Sequence, residues 1–334
     1  MAVGDLHGAY DNFVVILKDT GLVDDNLNWI GGETHLVQIG DVLDRGDKPK
    51  EIFNLAMRLE KEAEAAGGKV HILIGNHEEM NLANTAFDRE GYITPAQFQD
   101  FLPENYILKQ ENKFRKRSGS KSSDSDGDYN KYWKEIIDKC MGEPSSAARM
   151  TYMRTLNILY GDWIIGNNVI IKINDIVFVH GGISENFSHR TLKDINETYR
   201  RELDDIRTAV VRNQQPKIPV YDRELFNRED GPLWYRGMAV EESEEFRDDI
   251  ERILTNLQAN HVVIAHTPRT RQGIDEMRKY EGKVWVIDTG IAEYYKPIGG
   301  HLSALIIENG KFSVSYPVSE QKISYINSNE KGGE

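Results

Sequence analysis

The sequence predicts an α/β fold in which two packed, mixed β-sheets are flanked by helices. Three observations lead there. Residues 2–82 alternate short apolar runs with segments of helical periodicity, the order expected of strand–helix units with parallel strands. A block of strand-like runs follows between residues 261 and 318, which calls for a second sheet. The apolar runs stop at Asp, His or Asn beside glycine, as loops at the C-terminal ends of parallel strands commonly do.

In chain order, Ala2-Val3 is a stub of strand ahead of GDLHG (4–8), and Phe13, Val14, Ile16 and Leu17 recur at helical spacing within residues 11–20. HLVQI (35–39) is a short strand running into GDVLDRG (40–46). A helix from Pro49 to Ala66 is closed by Gly67-Gly68, and KVHILI (69–74) runs into GNHEE (75–79). Residues 113–128 (KFRKRSGSKSSDSDGD) hold almost no large apolar side chain and read as a flexible, solvated insertion. NVIIKI and IVFVH flank Asn174-Asp175 as a hairpin within 168–180. Helices are expected over 190–212 and 240–258. Strands follow at HVVIAH (261–266), KVWVID (283–288) and HLSALII (301–307), with KFSVSYPV after them. One catalytic domain over residues 1–320 and a polar tail over 321–334 account for the whole chain.

Composition narrows the partners. A formal charge of −13 opposes salt-driven binding to nucleic acid, because an acidic surface forfeits counterion release. Cys140 is the single cysteine, so a metal site here must be built from His, Asp, Asn and Glu. A mean hydropathy of −0.55, with no apolar stretch of bilayer length, argues against a membrane protein. No signal peptide is visible, which gives a cytoplasmic expectation, although so short a stub before GDLHG raises the prospect of a lost leader. The sequence assigns no oligomeric state.

Asp5 and His7 stand two residues apart at a strand end and so project to one side. Asp41 and Asp44 add carboxylates, one suited to bridging two ions and one to orienting a neighbour. Asn76 and His77 add a neutral oxygen and an imidazole, and His180 and His266 close two strongly apolar strands. Taken singly, a strand-end His is more often bonded to backbone, and an Asp before glycine more often forms a turn. Five strand ends finishing this way together point to a metal site. His35, His71 and His261 sit towards the openings of their strands and are expected at the far edge of the sheets.

GDLHG, GDVLDRG, GNHEE, VFVHGG (177–182) and VIAH (263–266) together resemble the motif series of calcineurin-like metallophosphoesterases. The DRG and HGG forms resemble the phosphoprotein phosphatase branch. With GPLWYR (231–236), and with GNHEE continuing into Met80-Asn81-Leu82, they are similar to Shewanella-like phosphatases. The resemblance runs from Gly4 to about Gly300 and implies two divalent metal ions, Mn foremost, with Fe or Zn as alternatives. It places Asp5, His7 and Asp41 on the first ion, and Asp41, Asn76, His180 and His266 on the second. A hydroxide shared by the two ions would be the nucleophile in an in-line displacement. His77 would be the general acid, with Asp44 fixing its tautomer, and Arg45 and Arg236 would grip the phosphoryl oxygens. Arg269 and Tyr235 are weaker candidates for that pocket, and Trp234 is a candidate for lining it.

Many nucleases of the wider superfamily end their metal motif in G-H-x-H, whereas this chain has Ala265-His266-Thr267-Pro268. A single histidine there favours a phosphomonoesterase. The expected substrate is a phosphorylated protein or peptide carrying phospho-Ser/Thr or phospho-Tyr. The alternative is a dinucleoside polyphosphate or another small phosphorylated metabolite. A binding module with a decayed metal site is disfavoured, because every expected position is filled.

Overall fold

The computed structural model describes residues 1–118, 126–219 and 222–317, together with the backbone of 324–326. Eleven strands run in chain order among these residues: β1 (Ala2–Val3), β2 (His35–Gln38), β3 (Lys69–Ile72), β4 (Ile170–Ile173), β5 (Ile176–Val179), β6 (His261–Ile264), β7 (Arg278–Lys279), β8 (Val284–Val286), β9 (Ala304–Glu308), β10 (Lys311–Ser315) and β11 (Ser324–Ile326). They form two sheets, ordered β11-β10-β9-β1-β2-β3 and β4-β5-β6-β8-β7. Both are mixed, as the sequence predicts. β1, β2 and β3 are parallel in the first, as are β5, β6 and β8 in the second. β4 and β5 form the expected antiparallel hairpin about Asn174-Asp175.

Alternation along the strands explains how the layers stack. Ala2, Val37, Ile39 and Leu73 of the first sheet join Phe178, Val263, Ala265, Trp285 and Ile287 of the second in one buried cluster. Trp285 stacks on Phe312 of β10 at 4.6 Å between ring centroids, joining the two layers. The intervening side chains, among them Val3, Leu36, Val70, Val177, Val262 and Val284, point the other way into the larger core under the helices.

The flanking helices are α1 (Tyr10–Asp19), α2 (Pro49–Ala65), α3 (Asn76–Leu82), α4 (Pro95–Asp100), α5 (Glu104–Ser118), α6 (Asp126–Cys140) and α7 (Ala147–Leu156), and then α8 (Asp162–Gly166), α9 (Glu185–Ser188), α10 (Leu192–Arg212), α11 (Gly237–Val240), α12 (Glu244–Leu257) and α13 (Ile274–Met277). Local chemistry sets their ends. Pro49 opens α2 with its φ already helical. The Thr191 and Ser243 side chains accept backbone N–H bonds at the starts of α10 and α12.

One expectation needs correcting. Residues 113–118 and 126–128, read as part of a flexible insertion, belong to α5 and α6, while 119–125 lie outside the described residues. The apolar face of α6 (Tyr129, Tyr132, Trp133, Ile136 and Ile137) begins just past that window, and Trp133 is fully buried. In the segment read as a polar tail, 324–326 form β11 on the sheet edge, and the rest lies outside the described residues. Among the described residues, no helix is long and apolar enough to cross a membrane.

Candidate active site

The C-terminal ends of β1, β2 and β3 meet those of β5, β6 and β8 along one rim, and there the predicted side chains converge. Asp5, His7, Asp41, Asp44, Asn76, His77, His180 and His266 are all buried. Five residues of this rim hold left-handed backbone: His7 (φ 44°), Asp41 (56°), Asp44 (69°), Arg45 (66°) and His266 (64°). Such conformations cost about 1–3 kcal/mol each for non-glycine residues and cluster where geometry serves function. The neighbouring glycine at position 75 answers a spatial need, because a Cβ there would stand 2.2 Å from Asp41 Oδ1.

Asp41 lies at the centre. Its Oδ2 is 3.8 Å from His7 Nε2, 3.8 Å from His77 Nε2 and 3.3 Å from His180 Nε2. Its Oδ1 accepts the His77 backbone N–H at 2.9 Å. Ligand atoms of His7, Asp41 and His77 lie within 4.8 Å of one another, and so do those of Asp41, His180 and His266. Asp5 sits against both groups. Its Oδ2 is 3.9 Å from His7 Nε2, and its Oδ1 is 3.8 Å from His180 Nδ1 and accepts the His266 backbone N–H at 3.3 Å.

Tautomers are set by the backbone. His7 Nδ1 donates to the Leu43 carbonyl at 2.9 Å, and His180 Nδ1 to the Ile39 carbonyl at 2.6 Å. Each Nε2 is thereby turned inward, the arrangement usual for metal-ligating imidazoles. His180 Nε2 lies 2.9 Å from Asn76 Oδ1 as well as 3.3 Å from Asp41 Oδ2, so one imidazole nitrogen and two oxygens converge there. His266 Nε2 is buried with no hydrogen-bond partner. An orphaned imidazole nitrogen beside that convergence fits a divalent metal, and the N/O donor set suits Mn, Fe or Zn.

The electrostatics differ among the imidazoles. Burial would raise the Asp41 carboxyl, yet His180, His77 and His7 outweigh it and hold the group well below the usual range. Burial pushes His7 and His266 well below the ordinary imidazole value, which leaves both neutral and able to ligate. Burial opposes protonation of His180 too, but the adjacent Asp41 carboxylate prevails and raises it.

A second network holds His77. Its Nδ1 donates to Asp44 Oδ2 at 2.6 Å. Asp44 also accepts from Asn81 Nδ2 at 2.9 Å and from Gln97 Nε2 at 2.8 Å. Tyr152 ties Asn81 to Gln97 through its hydroxyl. Two carboxylates that drew no comment from the sequence complete the frame. Glu78 accepts the backbone N–H groups of Gly75, Asp41, Val42 and Leu43 at 2.8–3.0 Å, pinning GDVLD to GNHEE. Glu79 accepts from Tyr199 Oη at 2.6 Å and Trp234 Nε1 at 2.9 Å, and its burial pushes its pKa up to about 7. The signal for both was present as two acids packed into the first turn of a fully buried helix.

The arginines separate. The Arg45 guanidinium sits among the rings of Tyr92, Tyr294 and Tyr295 at 5.0–5.5 Å, donates to the Tyr295 hydroxyl, and reaches His7 Nε2 at 2.6 Å. Arg236 lies exposed on the rim and donates to the His266 carbonyl at 2.8 Å and to Thr267 Oγ1 at 3.0 Å. Arg269 does not join the site. Its guanidinium is bound to the Ala239 carbonyl. Tyr235 packs against Gly182 and Gly237 and makes no contact with Arg45 or His77 among those described. Trp234 does line the site, with its ring 6.0 Å from that of His266.

Two stacked mixed sheets with histidines and carboxylates converging on one shared Asp describe a metallohydrolase. The chain belongs to the calcineurin-like phosphoesterase family, whose model matches residues 1–270. Shewanella-like protein phosphatase 1 of Plasmodium berghei (strain Anka) is 26% identical over 329 residues, 96% of this chain and 75% of that protein. Shewanella-like protein phosphatase 2 of Arabidopsis thaliana is 32% identical over 205 residues, 60% of this chain and 50% of that protein. Among solved structures, the cold-active protein-tyrosine phosphatase of a psychrophilic Shewanella species is similar with a TM-score of 0.64 at 26% identity, covering 96% of this chain and 78% of that one.

Proposed function

We propose that this protein is a dimetal phosphomonoesterase that removes phosphate from phosphorylated Ser/Thr or Tyr side chains of proteins. The observation that carries the reading is the shared position of Asp41, which belongs to both groups of ligand atoms while His77 beside it is held by Asp44. Asp5, His7 and Asp41 would hold one ion, and Asp41, Asn76, His180 and His266 the other. Bound there, divalent ions would neutralise phosphoryl charge and lower the pKa of a water from about 15.7 to near 7. Manganese is the metal proposed.

The remaining steps belong to side chains. Arg45 is oriented by its three tyrosines and offers a planar pair of N–H donors to phosphoryl oxygens, with Arg236, beside His266 on the same rim, as the second guanidinium. His77, protonated at Nε2 while Nδ1 is held by Asp44, gives its proton to the departing alkoxide or phenoxide. The names of the Plasmodium, Arabidopsis and Shewanella relatives favour protein substrates. The test is a panel of phosphoserine, phosphothreonine and phosphotyrosine peptides beside a dinucleoside tetraphosphate, run with defined Mn²⁺. Hydrolysis of peptides is expected, and preferential cleavage of the dinucleotide would overturn the protein-substrate reading.

A further inference from the structure

We propose that Asp288 is an additional anionic member of the metal centre, a positioning residue beside Asp5 that strengthens cation binding although no metal motif contains it. The inference rests on the dimetal reading above and adds a residue to it. KVWVID followed by Thr289-Gly290 repeats the pattern of the other rim positions, an apolar strand that stops at an acid beside glycine. Asp288 stands two residues beyond β8, as His266 stands two beyond β6 and Asp5 two beyond β1. The ends of β8 and β1 touch across the sheets. A Cβ on Gly4 would lie 2.5 Å from the Ile287 carbonyl oxygen and 3.0 Å from Asp288 Cα.

The Asp288 carboxylate is 0% exposed. Its Oδ1 accepts the Gly290 N–H at 3.0 Å, while its Oδ2 has no N–H or hydroxyl donor among the described residues and the carboxyl faces that of Asp5. A turn-forming aspartate would account for the first oxygen and not the second. Buried carboxylates without donors are costly, and proteins keep them where a cation compensates. No Lys or Arg side chain bonds to the carboxylate of Asp5 or Asp288 among the described residues, and the two carboxyls face one another. Two adjacent buried acids in a rim of imidazoles are poorly matched to each other and well matched to a divalent ion between them and Asp41.

The experiment is titration of the metal-stripped full chain with Mn²⁺ by calorimetry, with bound metal counted after dialysis and Tm recorded with and without Mn²⁺. The proteins compared are the wild type, Asp288→Asn, Asp288→Ser and Asp41→Asn. In both Asp288 variants, Mn²⁺ affinity at one of the two sites is expected to weaken about 10–100-fold. The Tm of the metal-free protein should hold or rise, because a like-charge contact is gone, and the Mn²⁺-induced gain in Tm should shrink. Wild-type affinity in both variants overturns the inference. So does a fall in metal-free Tm, or a failure to fold, which would mark Asp288 as structural. A wild-type chain that binds no Mn²⁺ fails the dimetal reading itself, a result distinct from two ions held equally well with and without Asp288.

Discussion

His77 Nδ1 lies 2.6 Å from Asp44 Oδ2, and every other hydrogen bond to that carboxylate comes from a buried side chain, Asn81 or Gln97. The imidazole therefore has one tautomer, with Nε2 turned towards Asp41. A histidine so fixed is suited to protonating a leaving group, and its value depends on how badly the leaving group needs a proton. His77→Asn is expected to lower kcat by about 10²–10⁴ for alkyl phosphates and by much less for p-nitrophenyl phosphate. Steady-state kinetics on both substrates checks this, and equal losses would count against His77 as the acid.

Asp41 supplies one carboxylate to both groups of ligand atoms, so it cannot be replaced by strengthening either side. Asp41→Asn keeps the shape and removes the charge. Bound Mn²⁺ should fall from two ions per chain towards none, and phosphatase activity should be lost. Metal content by atomic emission and turnover of a chromogenic ester test this together, and a fully metallated, active variant would refute the shared-ligand role.

Gly75→Ala probes the same carboxylate without altering any ligand. Gly75 has ordinary extended backbone (φ −104°, ψ 178°), so only crowding is at issue. The added methyl carbon, 2.2 Å from Asp41 Oδ1 and 2.4 Å from Asp41 N, must push the GDVLD loop aside. Displacement of about 1 Å can cost on the order of 10²-fold in rate. The prediction is a loss of that size in kcat/KM with weakened Mn²⁺ binding, measured by kinetics and calorimetry.

Much of this site was legible because a strand in a two-layer α/β fold ends at a rim, and an apolar run followed by Asp, His or Asn marks that end. Asp5, Asp41, Asn76, His180 and His266 were singled out that way, and the structure brings them together. The five left-handed φ values were not legible, since no local rule places a non-glycine residue there without its tertiary surroundings. Arg269 and Tyr235 misled because a rim side chain's direction is chosen by distant backbone, in the case of Arg269 the Ala239 carbonyl. The helices α5 and α6 were missed where their polar adjoining ends met. Glu78 and Glu79 went unremarked in the sequence, and each is buried to hold backbone, hydroxyl or ring donors.

Glu79 binds Tyr199, Trp234 and the Asn227 backbone, and so fastens α10 and the loop carrying GPLWYR to the helix of His77. Glu79→Ala leaves the buried Tyr199 hydroxyl unpaired together with the part-buried Trp234 and Asn227 N–H donors, which water can partly serve. A destabilisation of about 2–5 kcal/mol is expected from about 1–3 kcal/mol per orphaned group. Glu79→Gln retains an acceptor and should lose markedly less. Urea unfolding of the two variants would separate them, and equal losses would show that shape alone matters at this position.

The far edge of the sheets carries a pH-sensitive pair that lies apart from the candidate metal site. His35 Nδ1 is 3.2 Å from His71 Nε2 across β2 and β3. Burial, then Lys69 and His35, lower the His71 pKa from 6.5 to about 4. An unfolded histidine titrates near about 6.5, so below that pH the unfolded chain gains a proton that folded His71 refuses until about pH 4. Stability from this residue is therefore whole above pH 6.5, lost progressively between 6.5 and 4, and unchanged by it below. His71→Gln removes the titrating group. Thermal unfolding of both proteins across pH 7.5 to 4 should show the wild-type Tm falling more steeply than the variant's within that window, with the curves running parallel above it. Parallel curves throughout would mean that folded His71 accepts its proton as readily as the unfolded chain does.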